Sequence, residues 1–225
     1  MAEMALVTLA MAQDVGQPWK GLPVVLMRGF HHGALRVPLD SPIRVPEDLA
    51  GHTIGVRAYS QTTGVWLRGI LDTEYGIAPG QMRWITTEDA HVPGFQDPAF
   101  VSRAPEGVKL QDLFASREIA AAIGDNSTNF GETRSAIPHP EAAAASWAKR
   151  TGIHPVNHVL ALRPRLVNEF SGIDGEIRWI FDQARILGGG ANAERDTGAS
   201  IDAGLGFAWS QGLTRRRYTF EDLFL

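Results

Sequence analysis

The run from Ile54 to Gly76 constrains the fold most, because it reads as a strand, a polar turn and a helix in immediate succession. Ile54 and Val56 are strand formers, and Gly51 sets off the run. Ser60, Gln61, Thr62 and Thr63 crowd the turn, and Ser60 is placed to cap a helix with Thr63 within reach of its hydroxyl. Trp66, Leu67, Ile70, Leu71 and Tyr75 then recur at helical spacing, and Gly76 falls where a left-handed C-cap belongs. First helical turns favour Asp or Glu, which complement the positive end of the dipole. Here there is neither, only hydroxyls, an amide and Gly64, a residue that lets another group approach the backbone. Free N–H groups and hydroxyls without a resident carboxylate form a seat for an external anion. A hydrated Ser/Thr cap is the plainer alternative, and the residues leave both open.

The rest of the chain sets the context for that turn. With 225 residues it can bury one large core or those of two small lobes, and its 44% apolar and 20% charged content is that of a globular protein. The net charge is −4, and the Arg215–Arg216–Arg217 triplet reads as a solvated surface run, so no nucleic-acid partner is expected. Cysteine is absent, which removes disulfides, thiolate metal sites and a Cys nucleophile. No apolar run approaches the ~20 residues that span a bilayer, so no membrane partner is expected. Ala10-Met11-Ala12 mimics a signal-peptidase site, but Glu3 stands where a basic region would precede it. Residues 1–14 are therefore expected as an amphipathic or buried helix of a cytoplasmic protein; a start lying upstream would make the periplasm the alternative.

Strands are expected at Leu22–Met27, Ala34–Val37, Met82–Ile85 and Glu118–Gly124, and another is entered from His154 to Leu162. Helices are expected at Glu47–Ala50, Leu110–Arg117, Glu141–Arg150, from Pro164, at Ile173–Leu187 and around Trp209, with a terminal helix or tail at Tyr218–Leu225. Within Ile173–Leu187 one face carries Ile177, Ile180, Phe181, Ala184 and Leu187. This alternation predicts α/β architecture with mostly parallel sheets, whose ligands sit beyond the carboxyl ends of the strands. The turns at Tyr59–Thr63 and Asp125–Thr128, the latter containing Asn126, occupy that position.

Several side chains could carry chemistry. Arg28 beside His31 and His32 reads as an anion clamp, since guanidinium meets carboxylate in a bidentate fork; a hinge Arg tied to carbonyls is the alternative. His154 and His158 share a metal-like spacing, but Pro155 and the apolar alternation after it predict extended chain, which parts the two rings. No zincin pattern accompanies them, so neither a metal nor an organic cofactor is expected. Arg68 stands four residues before Asp72, the spacing of a surface ion pair. Gly188-Gly189-Gly190 lacks the strand and helix that frame a phosphate loop, and no Gly-x-Ser-x-Gly elbow occurs.

Taken together, five segments resemble the 4,5-dihydroxyphthalate decarboxylase-like proteins, which have the type II periplasmic-binding-protein fold. Arg28-Gly-Phe-His-His32 is similar to their Arg-x-Phe-Arg-His stretch, with His31 where the family has Arg. Tyr59-x-x-Thr62-x-x-x-Trp66-x-Arg68-Gly69-x-Leu71-x-x-Glu74-Tyr75-Gly76 resembles their strand–turn–helix signature. Pro155-x-x-His158, Gln211-Gly212-Leu213 and Glu221-Asp222-Leu223-Phe224 resemble later segments. The family's initial strand–helix–strand unit has no counterpart, so a reduced first lobe or an upstream start is expected, and an exposed sheet edge would favour a homo-oligomer.

The resemblance implies two α/β lobes: residues 1–46 with 166–225, and residues 47–165. It implies a small anionic, aromatic carboxylate as ligand and a carboxy-lyase activity of aromatic-compound (phthalate) catabolism. Thr62, Thr63, Ser60, Gln61 and the backbone after Tyr59 would hold one carboxylate, Arg28 and His31 the other, with Asn126 at the site. Tyr59 would meet a ring hydroxyl, and His32 or His158 would be the general acid. The alternative is a non-catalytic solute-binding protein of the same fold, as in transporter receptors.

Overall fold

The computed structural model describes residues 1–124, 128–188 and 197–225. In chain order the first elements are β1 (Ala2–Ala5), α1 (Leu6–Asp14), β2 (Lys20–Arg28), β3 (Leu35–Pro38), β4 (Thr53–Val56), α2 (Thr62–Tyr75), β5 (Arg83–Thr86) and β6 (Val101–Arg103). They are followed by α3 (Leu110–Ala115), β7 (Ala121–Ile123), β8 (Thr133–Ser135), α4 (Pro140–Thr151), β9 (Val156–Leu162), α5 (Pro164–Glu169), α6 (Ile173–Leu187), α7 (Thr197–Ser210) and α8 (Phe220–Leu223). The chain divides into two compact units, Met1–Gly29 with Gly152–Leu225, and Phe30–Thr151. The divisions fall earlier than the crossovers near residues 46 and 165 that the resemblance implies. Strand pairing is the reason: β3 pairs with β7 and β8 of the second unit, whereas β9 pairs with β1 and β2 of the first.

In the first unit, β9 is the centre of a sheet ordered β1-β9-β2 among the described residues, and both pairings are antiparallel. That corrects the expectation of parallel sheets here. It also corrects the helix expected over residues 1–14, whose first residues are extended. As a strand, Ala2–Ala5 turns alternate side chains to opposite faces. Met4 thereby packs against the core while Glu3 reaches the His158 ring on β9. The helix that follows, α1, buries Leu6, Leu9 and Ala10 against Val156, Val159 and Ala161 of β9 and Ile201 and Leu205 of α7. On the other side, α6 presents Ile173, Ile177 and Phe181 to Leu22, Leu160 and Leu162. Its inward seam runs along 173–177–181, so Ile180 and Leu187, expected inside, are 54% and 87% exposed.

The second unit is built on a sheet ordered β6-β5-β4-β7-β3-β8. Its β6-β5-β4-β7 half is parallel, and β3 adds antiparallel to β7 and β8. Two of its strands, β6 and β8, are short pieces in polar sequence that no local pattern marks. Central β4 is dry: Ile54 and Val56 are fully buried. Gly55 is closely packed: a Cβ there would stand 2.5 Å from Ile119 Cδ1 and 2.6 Å from Leu110 Cδ1, so those side-chain ends would have to shift to admit one. Helix α2 is buried from Gly64 to Leu71 and ends as expected on Gly76 at φ 68°, whose N–H donates to the Asp72 carbonyl at 3.1 Å. The helix expected at Glu47–Ala50 is a 3-10 turn at Pro46–Leu49.

Candidate functional site

The carboxyl ends of β4 and β5 and the mouth of α2 converge on one group of polar side chains. After β4 the chain turns through Arg57–Gln61, and the Arg57 carbonyl accepts from the Thr87 and Glu88 N–H groups at 3.0 and 2.7 Å, tying the turn to the end of β5. The N-cap is Gln61 in place of the expected Ser60, because the Gln61 carbonyl accepts the first helical bond, from Val65 N–H at 3.0 Å. Among the described residues no side chain caps the helix, and its first turn has no acid. The Thr62 and Gly64 amides have no intrahelical acceptor by the geometry of a helix start.

What distinguishes this mouth is a set of buried polar atoms without partners among the described residues. Ser60 is 2% and Thr62 5% exposed, and neither hydroxyl makes a hydrogen bond. The Gln61 Oε1, the Tyr59 hydroxyl and the Thr86 Oγ1 are likewise unpaired. An unpaired buried hydroxyl is destabilising by roughly 1–3 kcal/mol, so such groups together are candidates to meet a polar ligand or water. Thr63 is half-buried beside them. Tyr59 belongs more to the packing than to an open surface: 1% exposed, its ring meets Trp84 and Phe100 edge-on at 6.4 and 6.0 Å. Burial raises its phenol pKa, with Arg68 opposing the shift.

Arg68 is not the surface residue its spacing to Asp72 predicts. It is wholly buried, with its guanidinium 3.9 Å from the Tyr59 ring centroid and 5.0 Å from that of Trp84, and it donates from Nη2 to the Tyr59 carbonyl. Desolvation lowers its pKa to about 10, so it is charged at neutral pH. An α2 that is apolar nearly all round lies inside, which turns Arg68 inward; that periodicity was the available signal. Thr86, also missed, was findable as the last residue of a parallel strand.

His32, in the same unit, is 2% exposed, with Nδ1 unpaired among the described residues. Its ring packs edge-on to Trp147 at 5.7 Å and to Phe30 at 6.4 Å. A cavity of about 310 Å³ opens beside it, lined by Phe30, Gly33, Pro140, Glu141, Ala144 and Ala145. Burial lowers the His32 pKa, which keeps the ring neutral at pH 7. His31 is buried, and its carbonyl accepts from Ala34 N–H at 2.9 Å.

The remaining candidates lie in the first unit. Arg28, at the end of β2, donates to Thr197 Oγ1 at 3.2 Å and borders a cavity of about 580 Å³ with Arg178, Arg185 and Phe181. His158, on β9, meets Glu3 Oε1 through Nδ1 at 2.6 Å. The extended chain expected after Pro155 is present, and the His154 backbone N–H donates to Ser200 Oγ at 3.0 Å. Asn126 lies outside the described residues, as do Gly189 and Gly190 of the glycine run. Among the described residues no group of three or more His, Asp or Glu could hold a metal ion, and no helix is long and apolar enough to cross a membrane.

Comparison with known proteins places this geometry in a wider setting. No family model matches the chain. It is 27% identical over 206 residues to 4,5-dihydroxyphthalate decarboxylase of Comamonas testosteroni, a match covering 83% of this chain and 61% of that protein. The chain thus spans about three fifths of the length of the curated relatives it matches. Among solved structures, the alkanesulfonate-binding protein SsuA of Xanthomonas axonopodis pv. citri, bound to MOPS, superposes with a TM-score of 0.55 at 12% identity, covering 99% of this chain and 79% of that one. The desulfurization enzyme DSZB superposes with a TM-score of 0.52 at 15% identity, covering 99% of this chain and 81% of that one. The fold is therefore of the type II periplasmic-binding-protein kind, an architecture that serves a solute receptor and an enzyme alike.

Proposed function

We propose that this protein binds a small aromatic carboxylate at the mouth of α2 and removes one carboxyl group from it as carbon dioxide. The observation that carries the reading is the mouth itself: an acid-free first turn with the buried, unpaired hydroxyls of Ser60 and Thr62. Backbone N–H groups and the helix dipole favour an anion at such a place, and the hydroxyls donate to it. The sequence relative named 4,5-dihydroxyphthalate decarboxylase supports an ortho-dicarboxylate with ring hydroxyls as the substrate class.

In such a reaction the bond between ring carbon and carboxylate breaks, its electron pair stays on the ring, and a proton takes the vacated position as carbon dioxide leaves. A ring hydroxyl supplies electron density to the carbon that is protonated. The residues have to grip one carboxylate, exclude water and deliver that proton. His32, in the same unit as α2, is the candidate donor, and His158, in the other unit, is the residue to compare it with. His32 is neutral in the empty protein and gains proton affinity as a dianion arrives, since nearby negative charge favours the imidazolium. His31, in the same unit as α2, is assigned to the remaining charge of the ligand.

A second reading, capture without turnover, is favoured by the state of the two histidines: burial holds one neutral and Glu3 engages the other. Calorimetric titration with phthalate and 4,5-dihydroxyphthalate, followed by assay of carbon dioxide release, separates the two. Binding with release supports the enzyme; binding without release, across pH and added divalent metals, leaves the receptor; no binding removes both. His32→Ala and His158→Ala identify the donor by loss of turnover with binding retained. A cytoplasmic homo-oligomer completes this reading, and light scattering tests the assembly.

A further inference from the structure

We propose that the cavity beside His32 in the second unit is a binding site for a small uncharged phenol, its ring set among the apolar side chains and its hydroxyl hydrogen-bonded to the His32 imidazole. The site is independent of the α2 mouth and holds whether or not an anion binds there.

The walls set the size and shape of the guest. A volume of about 310 Å³ lies at the lower end of small-molecule sites, roughly 300–1,000 Å³, and suits a single ring with one or two substituents. Phe30, Pro140, Ala144 and Ala145 give the cavity an apolar lining. Aromatic rings already meet here edge to face: His32 against Phe30 and Trp147, and Phe30 against Trp147 at 6.4 Å and 89°. A ligand ring extends that cluster, and aromatic pairs in such arrangements are stabilised beyond the area they bury. On the α4 side the wall is made of alanines, so a longer side chain there would fill the space.

The polar groups set its chemistry. The His32 ring lines the cavity, is 2% exposed, and has an Nδ1 that bonds to no described residue. Burial keeps the ring neutral, and a neutral imidazole has one donating and one accepting nitrogen. A hydroxyl both donates and accepts, so it matches either nitrogen in either tautomer. A carboxylate only accepts and an ammonium only donates. An ion of either sign would also exchange water for largely apolar walls. Glu141 adds to the discrimination: exposed and lining the same cavity, its carboxylate opposes an anion. Because it stands in the first turn of α4, it also answers the positive end of that helix, which therefore offers an anion little.

The test is fluorine NMR titration of the full chain at pH 7 with 4-fluorophenol and with fluorobenzene, comparing wild type, His32→Phe and Ala145→Leu. Wild type is expected to bind 4-fluorophenol about tenfold more tightly than fluorobenzene, the difference being one hydrogen bond, and excess benzoate is expected to leave the bound phenol in place. His32→Phe keeps an aromatic ring and loses the hydrogen bond, so it weakens 4-fluorophenol about tenfold and leaves fluorobenzene unchanged. Ala145→Leu fills the cavity from an exposed position on α4 and weakens both ligands at least tenfold, which keeps the test decisive if His32→Phe does not fold. Wild type that binds no phenol, or binds it no better than fluorobenzene, would overturn the proposal. So would displacement of the phenol by benzoate, phenol binding unmoved in Ala145→Leu, or equal weakening of both ligands in His32→Phe.

Discussion

Thr62→Val separates the stability of this protein from its binding, and the two are expected to move in opposite directions. Thr62 is the first residue of α2, 5% exposed, and its Oγ1 has no hydrogen-bond partner among the described residues. Valine has the same shape and branching, so the packing of the first turn is kept. What changes is one hydroxyl that lost its water on folding and gained nothing in return. Removing it recovers the desolvation penalty of an unsatisfied buried group, about 1–3 kcal/mol. In a chain of this size that raises a melting temperature by about 2–4 °C per kcal/mol. Binding changes the other way, since a hydroxyl donating to a carboxylate contributes about 1.5–3 kcal/mol, or roughly ten- to hundredfold in affinity for phthalate. Scanning calorimetry with and without phthalate measures both quantities in one experiment; because the chain has two compact units, the transition of the unit holding α2 is the one to follow. A variant less stable than wild type, or one whose ligand-induced shift is unchanged, would refute the argument that this hydroxyl is held unpaired for a ligand.

Two further outcomes are expected. The lowered pKa of buried His32 means that, below its ordinary value near 6.5, the unfolded chain takes up a proton that the folded one refuses. Its contribution is thus fully present above pH 6.5 and is lost as pH falls, by at most about 1.4 kcal/mol per pH unit until the folded pKa is passed. His32→Gln should flatten that part of the acid limb in urea unfolding; an unchanged limb would mean that His32 titrates normally. Gly55→Ala should destabilise the protein by about 1–3 kcal/mol, because the new Cβ meets Ile119 and Leu110 at 2.5 and 2.6 Å. A melting temperature equal to wild type would show that these side chains yield freely.

Much of the candidate site was legible because its signals are local. The helix at α2, its left-handed stop at Gly76 and the absence of an acid in its first turn depend on residues within a few positions of one another. The β-strand entered at Pro155 and the general α/β alternation were legible for the same reason. The cap was misplaced by a residue, since Ser60 and Gln61 are equally plausible until the first helical bond is seen. Arg68 was misread because a spacing of four to Asp72 is a statement about neighbours on one helix, whereas its burial depends on Tyr59 and Trp84, which β4 and β5 bring to it.

By itself, then, the sequence determined a strand–turn–helix with an open, uncharged mouth, and through its resemblance a fold of the type II periplasmic-binding-protein kind. Hydrophobic period, turn residues and the conformational freedom of Gly76 are short-range properties, so they can be read without knowing what packs where. Tertiary structure alone decided that Arg68 is buried against Tyr59 and Trp84, and that the hydroxyls of Ser60, Thr62 and Thr86 are left unpaired among the described residues. It also decided that Ala2–Ala5 pairs with β9 instead of extending α1, and that the chain changes units after Gly29 and Thr151. Each of these depends on desolvation or strand pairing between residues far apart in the chain, and a group's loss of water is a property of the assembled core, not of its neighbours in sequence.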